Sequence, residues 1–280
     1  MSIGVVVLVL FAALLHASWN ALVKSSPDKF LDIVLVTSGS AVFCVVALPF
    51  IALPMPASWP YVAASVVIHI VYFVLIGAAY RSGDMSHAYP LMRGLPPLLV
   101  ALLSGPLIGE QLSAGEWGGI LLICGGILGL LLVEGRSGGM SRASTGFALV
   151  NAVAIAGYTL VDGTGVRLSA YPVAYTMWIF LLTAPPILAW ALLRRRAGVV
   201  VHVRARWHLA LIGGACTLGA YILVLWAMTQ APIAMVAALR ETAIVFATGL
   251  SVIVLKERFG WGRPAAAAVI LLGVIAIKLA

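Results

Sequence analysis

Residues 86–110 read SHAYPLMRGLPPLLVALLSGPLIGE, and residues 233–257 read IAMVAALRETAIVFATGLSVIVLKE. Each is an apolar run long enough to cross a bilayer as a helix, which takes about 20 residues. Each carries one arginine deep inside and ends in a glutamate. A shift of 147 positions lays Arg93 on Arg240, Leu103 on Leu250, Ser104 on Ser251 and Glu110 on Glu257. The same shift continues into the following run, where Ile123 meets Ile270, Gly126 meets Gly273 and Leu132 meets Leu279. Two intramembrane arginines and two loop glutamates in one register are hard to produce by chance, so the chain reads as a duplication.

Outward from these two runs the chain is apolar almost throughout. Hydrophobic types make up 63% of 280 residues and charged types 9%, with a mean hydropathy of +1.12. A soluble domain carries about 25% charged residues. So few charges exclude an ordinary soluble enzyme, a disordered chain and a secreted disulfide scaffold. Cys44, Cys124 and Cys216 each lie inside an apolar run, with no CxxC spacing, so neither a disulfide framework nor a zinc site is expected. Ten runs of span length are legible, at roughly 3–23, 31–53, 59–80, 86–109, 115–133, 144–164, 171–193, 206–229, 232–255 and 262–279. The expected fold is an all-α polytopic membrane protein: a first five-span repeat over 1–133, a connector over 134–143 and a second five-span repeat over 144–280. Five is odd, so the second repeat must be inverted relative to the first. Gly125 and Gly129 form a GxxxG expected to be a packing face.

Loop charges test the inversion. Lys24, Lys29, Arg81, Arg136, Arg142, Arg194, Arg195, Arg196, Arg204, Arg206, Lys256, Arg258 and Arg263 fall on one side of the ten-span topology, and the opposite loops hold only Arg167. Within the two repeats, corresponding loops carry opposite bias, as inversion under the positive-inside rule demands. The basic side should be cytoplasmic, with both termini outside and the protein in a bacterial-type inner membrane.

The proline-rich fourth span, His87-Ala88-Tyr89-Pro90-Leu91-Met92-Arg93-Gly94-Leu95-Pro96-Pro97, ends in Gly109-Glu110; the ninth ends in Leu255-Lys256-Glu257-Arg258. With Trp19-Asn20 late in the first span and two five-span halves, the chain resembles the EamA-type transporters of the drug/metabolite transporter superfamily. The resemblance covers essentially the whole length. It implies a central cavity bordered by the first span, and termini in the cytoplasm rather than outside.

A charge at the bilayer centre costs about 2.5–3.5 kcal/mol on insertion scales, so an intramembrane charge points to function by default. Arg93 and Arg240 occupy equivalent places and could flank one pocket. A guanidinium fork there suits a carboxylate, phosphate or phosphonate. The competing reading is a helix lock in which Arg240 pairs with a neighbouring acid. Glu241, about 100° round a helix from Arg240, could bind a substrate amine or carry a proton. Asn151, Ile155, Tyr158 and Asp162 fall on one face of the sixth span; Asp162 is either part of the site or a cap at the water interface. His16, Trp19 and Asn20 share a face of the first span, and His69, Tyr72 and Phe73 repeat that spacing. The candidate substrate-binding set is Arg93, Arg240, Glu241, Asp162, Tyr158, Asn151, His16, Trp19, Asn20, Tyr89 and Tyr72. Glu110 and Glu257, near water, read as caps or loop pairs.

The leading function is a secondary-active transporter working by alternating access, with a zwitterion such as an amino acid or aminophosphonate as substrate. An organic anion or phosphate ester comes next, and a drug-like cation last, since two arginines would repel it. The partners expected are the small-molecule substrate, the bilayer and a coupled proton or counter-substrate, with no nucleic acid. The alternative classes are an intramembrane enzyme or another non-transport membrane protein. Paired carboxylates for metal-diphosphate chemistry, HExxH and a nucleophile–His pair are all missing from the sequence, so no cofactor or metal is expected.

Overall fold

A computed structural model describes residues 1–24, 28–82, 85–134, 141–253 and 260–280. The connector stretch 135–140 with Arg136, and Leu255, Lys256, Glu257 and Arg258, lie outside the described residues. The described residues form helices without strands: α1 (Ile3–Lys24), α2 (Lys29–Ala47), α3 (Trp59–Ser82), α4 (Met85–Ile108), α5 (Ala114–Glu134), α6 (Arg142–Ser169), α7 (Pro172–Met228), α8 (Ile233–Arg240), α9 (Ala243–Ile253) and α10 (Gly262–Leu279). In lipid a helix is the segment that satisfies its own backbone hydrogen bonds, and these apolar runs take that form. Polar side chains close the ends that reach water. Asp28 accepts from the Leu31 N–H at 3.1 Å at the start of α2. Ser113 and Glu116 form a reciprocal capping box on α5, at 3.3 and 2.7 Å.

Nine stretches among the described residues are long and apolar enough to cross a membrane, so the chain is a multi-pass membrane protein. One of them is α7, at 57 residues. Straight, it would run roughly 85 Å, nearly three hydrocarbon thicknesses. Non-helical backbone at Arg195 (φ −147°, ψ 44°) and Arg206 (φ −132°, ψ 26°) breaks it. The arms are antiparallel, as their contacts with α2 require. Along α2, Leu31 and Val34 cluster with Ile187 and Ala191, and Cys44 clusters with Met177, so the first arm runs against α2. Val36 meets Leu209, the Ser40 hydroxyl donates to the Gly214 carbonyl at 3.1 Å, and Cys44 clusters with Leu218, so the second arm runs with it.

The single ninth run of the sequence is divided in the structure. α8 ends at Arg240 and α9 begins at Ala243, with Glu241 and Thr242 in a tight turn between them. Their amides donate to Ala238 and Leu239 three residues back, at 3.1 Å each. Glu241 therefore sits at a helix break in the middle of the apolar run.

Glycines let helices touch backbone to backbone. A Cβ on Gly39 would lie 1.8 Å from the Ala210 carbonyl oxygen. On α5 the packing glycines are Gly119 and Gly126, whose added Cβ atoms would meet Gly273 and Ala266 carbonyls of α10 at 2.9 and 3.0 Å. The expected Gly125–Gly129 packing face meets no other helix among the described residues: neither position has anything within 4 Å. Gly125 and Gly129 share a face of their own, and it is turned away from the α5–α10 contact because Gly125 sits about 100° round the helix from Gly126.

Candidate functional site

Two joined cavities occupy the middle of the bundle. The inner chamber, about 120 Å³, is lined by His16, Trp19, His69, Tyr72, Arg93, Tyr158, Tyr221 and Arg240, among others. It continues into a funnel of about 670 Å³ that shares His16, Trp19, Tyr72, Phe73 and Arg93. The funnel adds Asn20, Tyr89 and Asn151 and reaches Asp28, Lys29, Arg194 and Arg195. Those last four residues belong to the face that carries most loop cations, so the cavity opens toward that face.

The ion cluster sits where chamber and funnel meet. Arg93 from α4 and Arg240 from the end of α8 are 8% and 5% exposed, and Glu241 is fully buried. Glu241 Oε2 lies 3.1 Å from Arg93 Nε, and Oε1 lies 3.5 Å from Arg240 Nη2. The helical spacing predicts Glu241 pointing away from Arg240; the turn between α8 and α9 instead swings the carboxylate between both guanidiniums. One carboxylate facing two guanidiniums leaves a surplus of one positive charge. Moreover, the 3.1 Å approach to Arg93 is misaligned as a hydrogen bond, so Arg93 Nε and Nη2 and Arg240 Nε keep unused donor capacity. Tyr89 and Tyr158 present ring faces to the two arginines at 5.9 and 6.0 Å.

The other sequence candidates mostly converge on the same space. Trp19 Nε1 donates to His16 Nδ1 at 3.3 Å, and the Asn20 amide donates to the His16 carbonyl at 2.8 Å, which holds this face of α1 toward the cavity. The Asn151 amide donates to Met92 Sδ at 3.0 Å and its Oδ1 has no partner. Tyr72 and Tyr158 meet edge to face at 6.0 Å. Asp162 differs. It is fully buried, does not line either cavity, and accepts from the hydroxyls of Tyr175 at 3.4 Å and Tyr221 at 2.5 Å. It is therefore no cap at the water interface.

The far face is closed. Glu110 pairs with Arg167 at 2.7 Å and accepts from the Ile233 N–H at the start of α8 at 2.8 Å. Arg167 also donates to the carbonyls of Met228 and Ala231 at 2.8 and 2.9 Å. Glu110 is thus both the cap and the loop pair expected of it; Glu257 lies outside the described residues.

Residues 144–279 match the model of the EamA-like transporter family. That half of the chain belongs to the EamA-like transporters. A solved structure described as "Crystal structure of protein" superposes on the chain with a TM-score of 0.80, at 21% identity, over 100% of this chain and 98% of that one. At that identity the likeness carries the fold alone. No curated protein matches the chain. The family consists of drug/metabolite transporters, in keeping with a transport rather than a catalytic role.

Part of the cavity wall is not legible in the sequence. Thr217, Tyr221 and Val224 of α7 line the chamber at i, i+4 and i+7. Their spacing marks one helical face, yet only Tyr221 stands out chemically from a long apolar run. In the sequence Arg167 is only the lone cation of its face; its partners Glu110, Met228 and Ala231 lie 57, 61 and 64 residues away and cannot be read locally.

Proposed function

We propose that the chain is a secondary-active transporter that moves a small zwitterionic or anionic metabolite, amino-acid-like or aminophosphonate-like, across a bacterial-type inner membrane by alternating access. The observation that carries this reading is the buried Arg93–Glu241–Arg240 cluster, with its surplus positive charge and unpartnered donors at the end of an open funnel. An anionic group would take up those donors as charge-assisted hydrogen bonds. Asn151 Oδ1 is free to accept from a substrate ammonium in the same funnel. Glu241 serves as the arginines' counter-ion rather than as the amine site.

Counting α7 as two crossings and α8–α9 as one gives ten crossings in two halves, 1–133 and 144–280. The helix pairings support an inverted repeat: α4 packs on α6 as α9 packs on α1, and α3 packs on α6 as the second arm of α7 packs on α1. With the basic face cytoplasmic, the cavity is open inward and the Glu110–Arg167 contact closes the outside. Exchange of the two halves' conformations would then alternate access.

The test has two steps. A thermal-shift screen of the purified protein against amino acids, aminophosphonates, organic anions and phosphate esters identifies a ligand, since a ligand of the folded state raises apparent stability. Preloaded liposomes containing the protein should then accumulate that compound, labelled, by counterflow. Recovery of a chemically altered compound, or no counterflow by folded protein with any stabilising ligand, overturns the reading.

A further inference from the structure

Asp162 is an acid without a cation. It is fully buried, and among the described ion pairs none reaches it. Its neighbours are hydroxyls and one imidazole. From α7 come Tyr175 and Tyr221, both donating to it. From α3 come Ser65, which lies beside the carboxyl, and His69, within electrostatic reach. Tyr158 stands one turn earlier on α6, and Tyr61 flanks Tyr175. Arg93 and Arg240, from α4 and α8, line the same chamber and pair with Glu241, not with Asp162.

This environment suits both protonation states. An unpaired buried carboxylate is costly, so its charge depends on the polar groups around it. Tyrosine and serine hydroxyls can donate to the ionised form and can turn to accept from the neutral one. A route to the chamber also exists. His69 and Tyr221 line the chamber, whereas Asp162 lies behind them. His69 Nδ1 lies 2.9 Å from the Ser65 carbonyl, which only accepts, so Nδ1 carries the hydrogen and Nε2 is free to take another; Ser65 Oγ is 3.1 Å from the same Nδ1.

We propose that Asp162 is a proton-binding site of this transporter, loaded from the chamber through His69 and Ser65 and distinct from the arginine cluster that takes the substrate's anionic group. In one transfer a chamber proton adds to His69 Nε2. Nδ1 passes its proton to Ser65 Oγ, and the Ser65 hydroxyl proton moves to Asp162. One proton has entered and one carboxylate has become a carboxylic acid, with Ser65 restored and His69 left as its other neutral tautomer. The substrate meets Arg93 and Arg240 while the proton sits behind Tyr221, so the two can be bound in sequence and coupled through the shared chamber wall.

Infrared titration of the full-length protein carrying isotope-labelled aspartate tests this without any substrate. A labelled carboxylic-acid band should disappear as pH rises across the range over which the protein stays folded. Asp162→Asn should abolish it. Asp162→Glu should replace it with an unlabelled titrating band, which keeps the assignment testable if the Asn variant does not fold. Tyr221→Phe removes a donor to the carboxylate and should raise the midpoint by about one unit, a tenfold gain in proton affinity. A wild-type protein with no labelled band titrating in that range overturns the proposal, as does a band that survives Asp162→Asn. Neither result touches ligand binding at Arg93 and Arg240, so the substrate reading stands or falls separately.

Discussion

Replacing Glu241 by Gln removes the one carboxylate between two buried guanidiniums while keeping shape. Its Oε2 lies 3.1 Å from Arg93 Nε and its Oε1 3.5 Å from Arg240 Nη2, and its side chain is fully buried. At 3.1 Å and an effective dielectric constant of about 20, the gross attraction to Arg93 alone is roughly 5 kcal/mol. Desolvation has already consumed much of that, but breaking a buried pair leaves the partner charges uncompensated and typically costs about 3–5 kcal/mol. The open funnel admits water to Arg93, so the lower end, about 3 kcal/mol, is expected. Equilibrium unfolding in mixed detergent–SDS micelles measures it. The double variant Arg93→Gln/Glu241→Gln should be less destabilised than the two single losses added together, by at least about 1 kcal/mol, because it removes an orphaned cation with its acid. A Glu241→Gln protein within about 0.5 kcal/mol of wild type would refute the counter-ion argument, as would strict additivity in the double variant.

Other consequences follow from the same geometry. Loss of a charge-assisted hydrogen bond worth about 1.5–3 kcal/mol means that Arg93→Ala and Arg240→Ala, if folded, should bind the screened ligand about 10–150-fold more weakly in titration calorimetry; Arg93→Lys should recover little if recognition uses the fork. Glu110→Ala uncaps α8 and should speed hydrogen exchange at the Ile233 amide about tenfold, a cap of ordinary strength; unchanged exchange would remove Glu110 from the closure of that face. Gly39→Ala places a Cβ 1.8 Å from the Ala210 oxygen and should lower stability by at least about 1–3 kcal/mol, whereas Gly125→Ala, with nothing within 4 Å, should be neutral or slightly stabilising. A fluorescent reporter that folds only in the cytoplasm, fused after Ala280, should stay dark if the loop charges set orientation, while a periplasm-dependent enzyme reporter at that position should be active.

Composition and periodicity alone determined that this is a helical membrane protein, because a bilayer imposes length and hydropathy on every span whatever its neighbours are. The depth of Arg93 and Arg240 was equally legible, since a charge in an apolar run is conspicuous and costly. So was the shared face of His16, Trp19 and Asn20, which follows from helical spacing alone. Other features arise from contacts between segments far apart in sequence, and only the tertiary structure decided them. The break at Glu241–Thr242 turns a carboxylate expected to point elsewhere onto both arginines. Folding α7 back brings Tyr221 and Tyr175 to Asp162, 59 and 13 residues away, and buries an acid that the sequence alone leaves open as a helix cap. Likewise, Gly119 and Gly126 rather than Gly125 and Gly129 carry the α5–α10 contact, since a glycine motif records that close approach is permitted and the partner's position determines which glycines are approached.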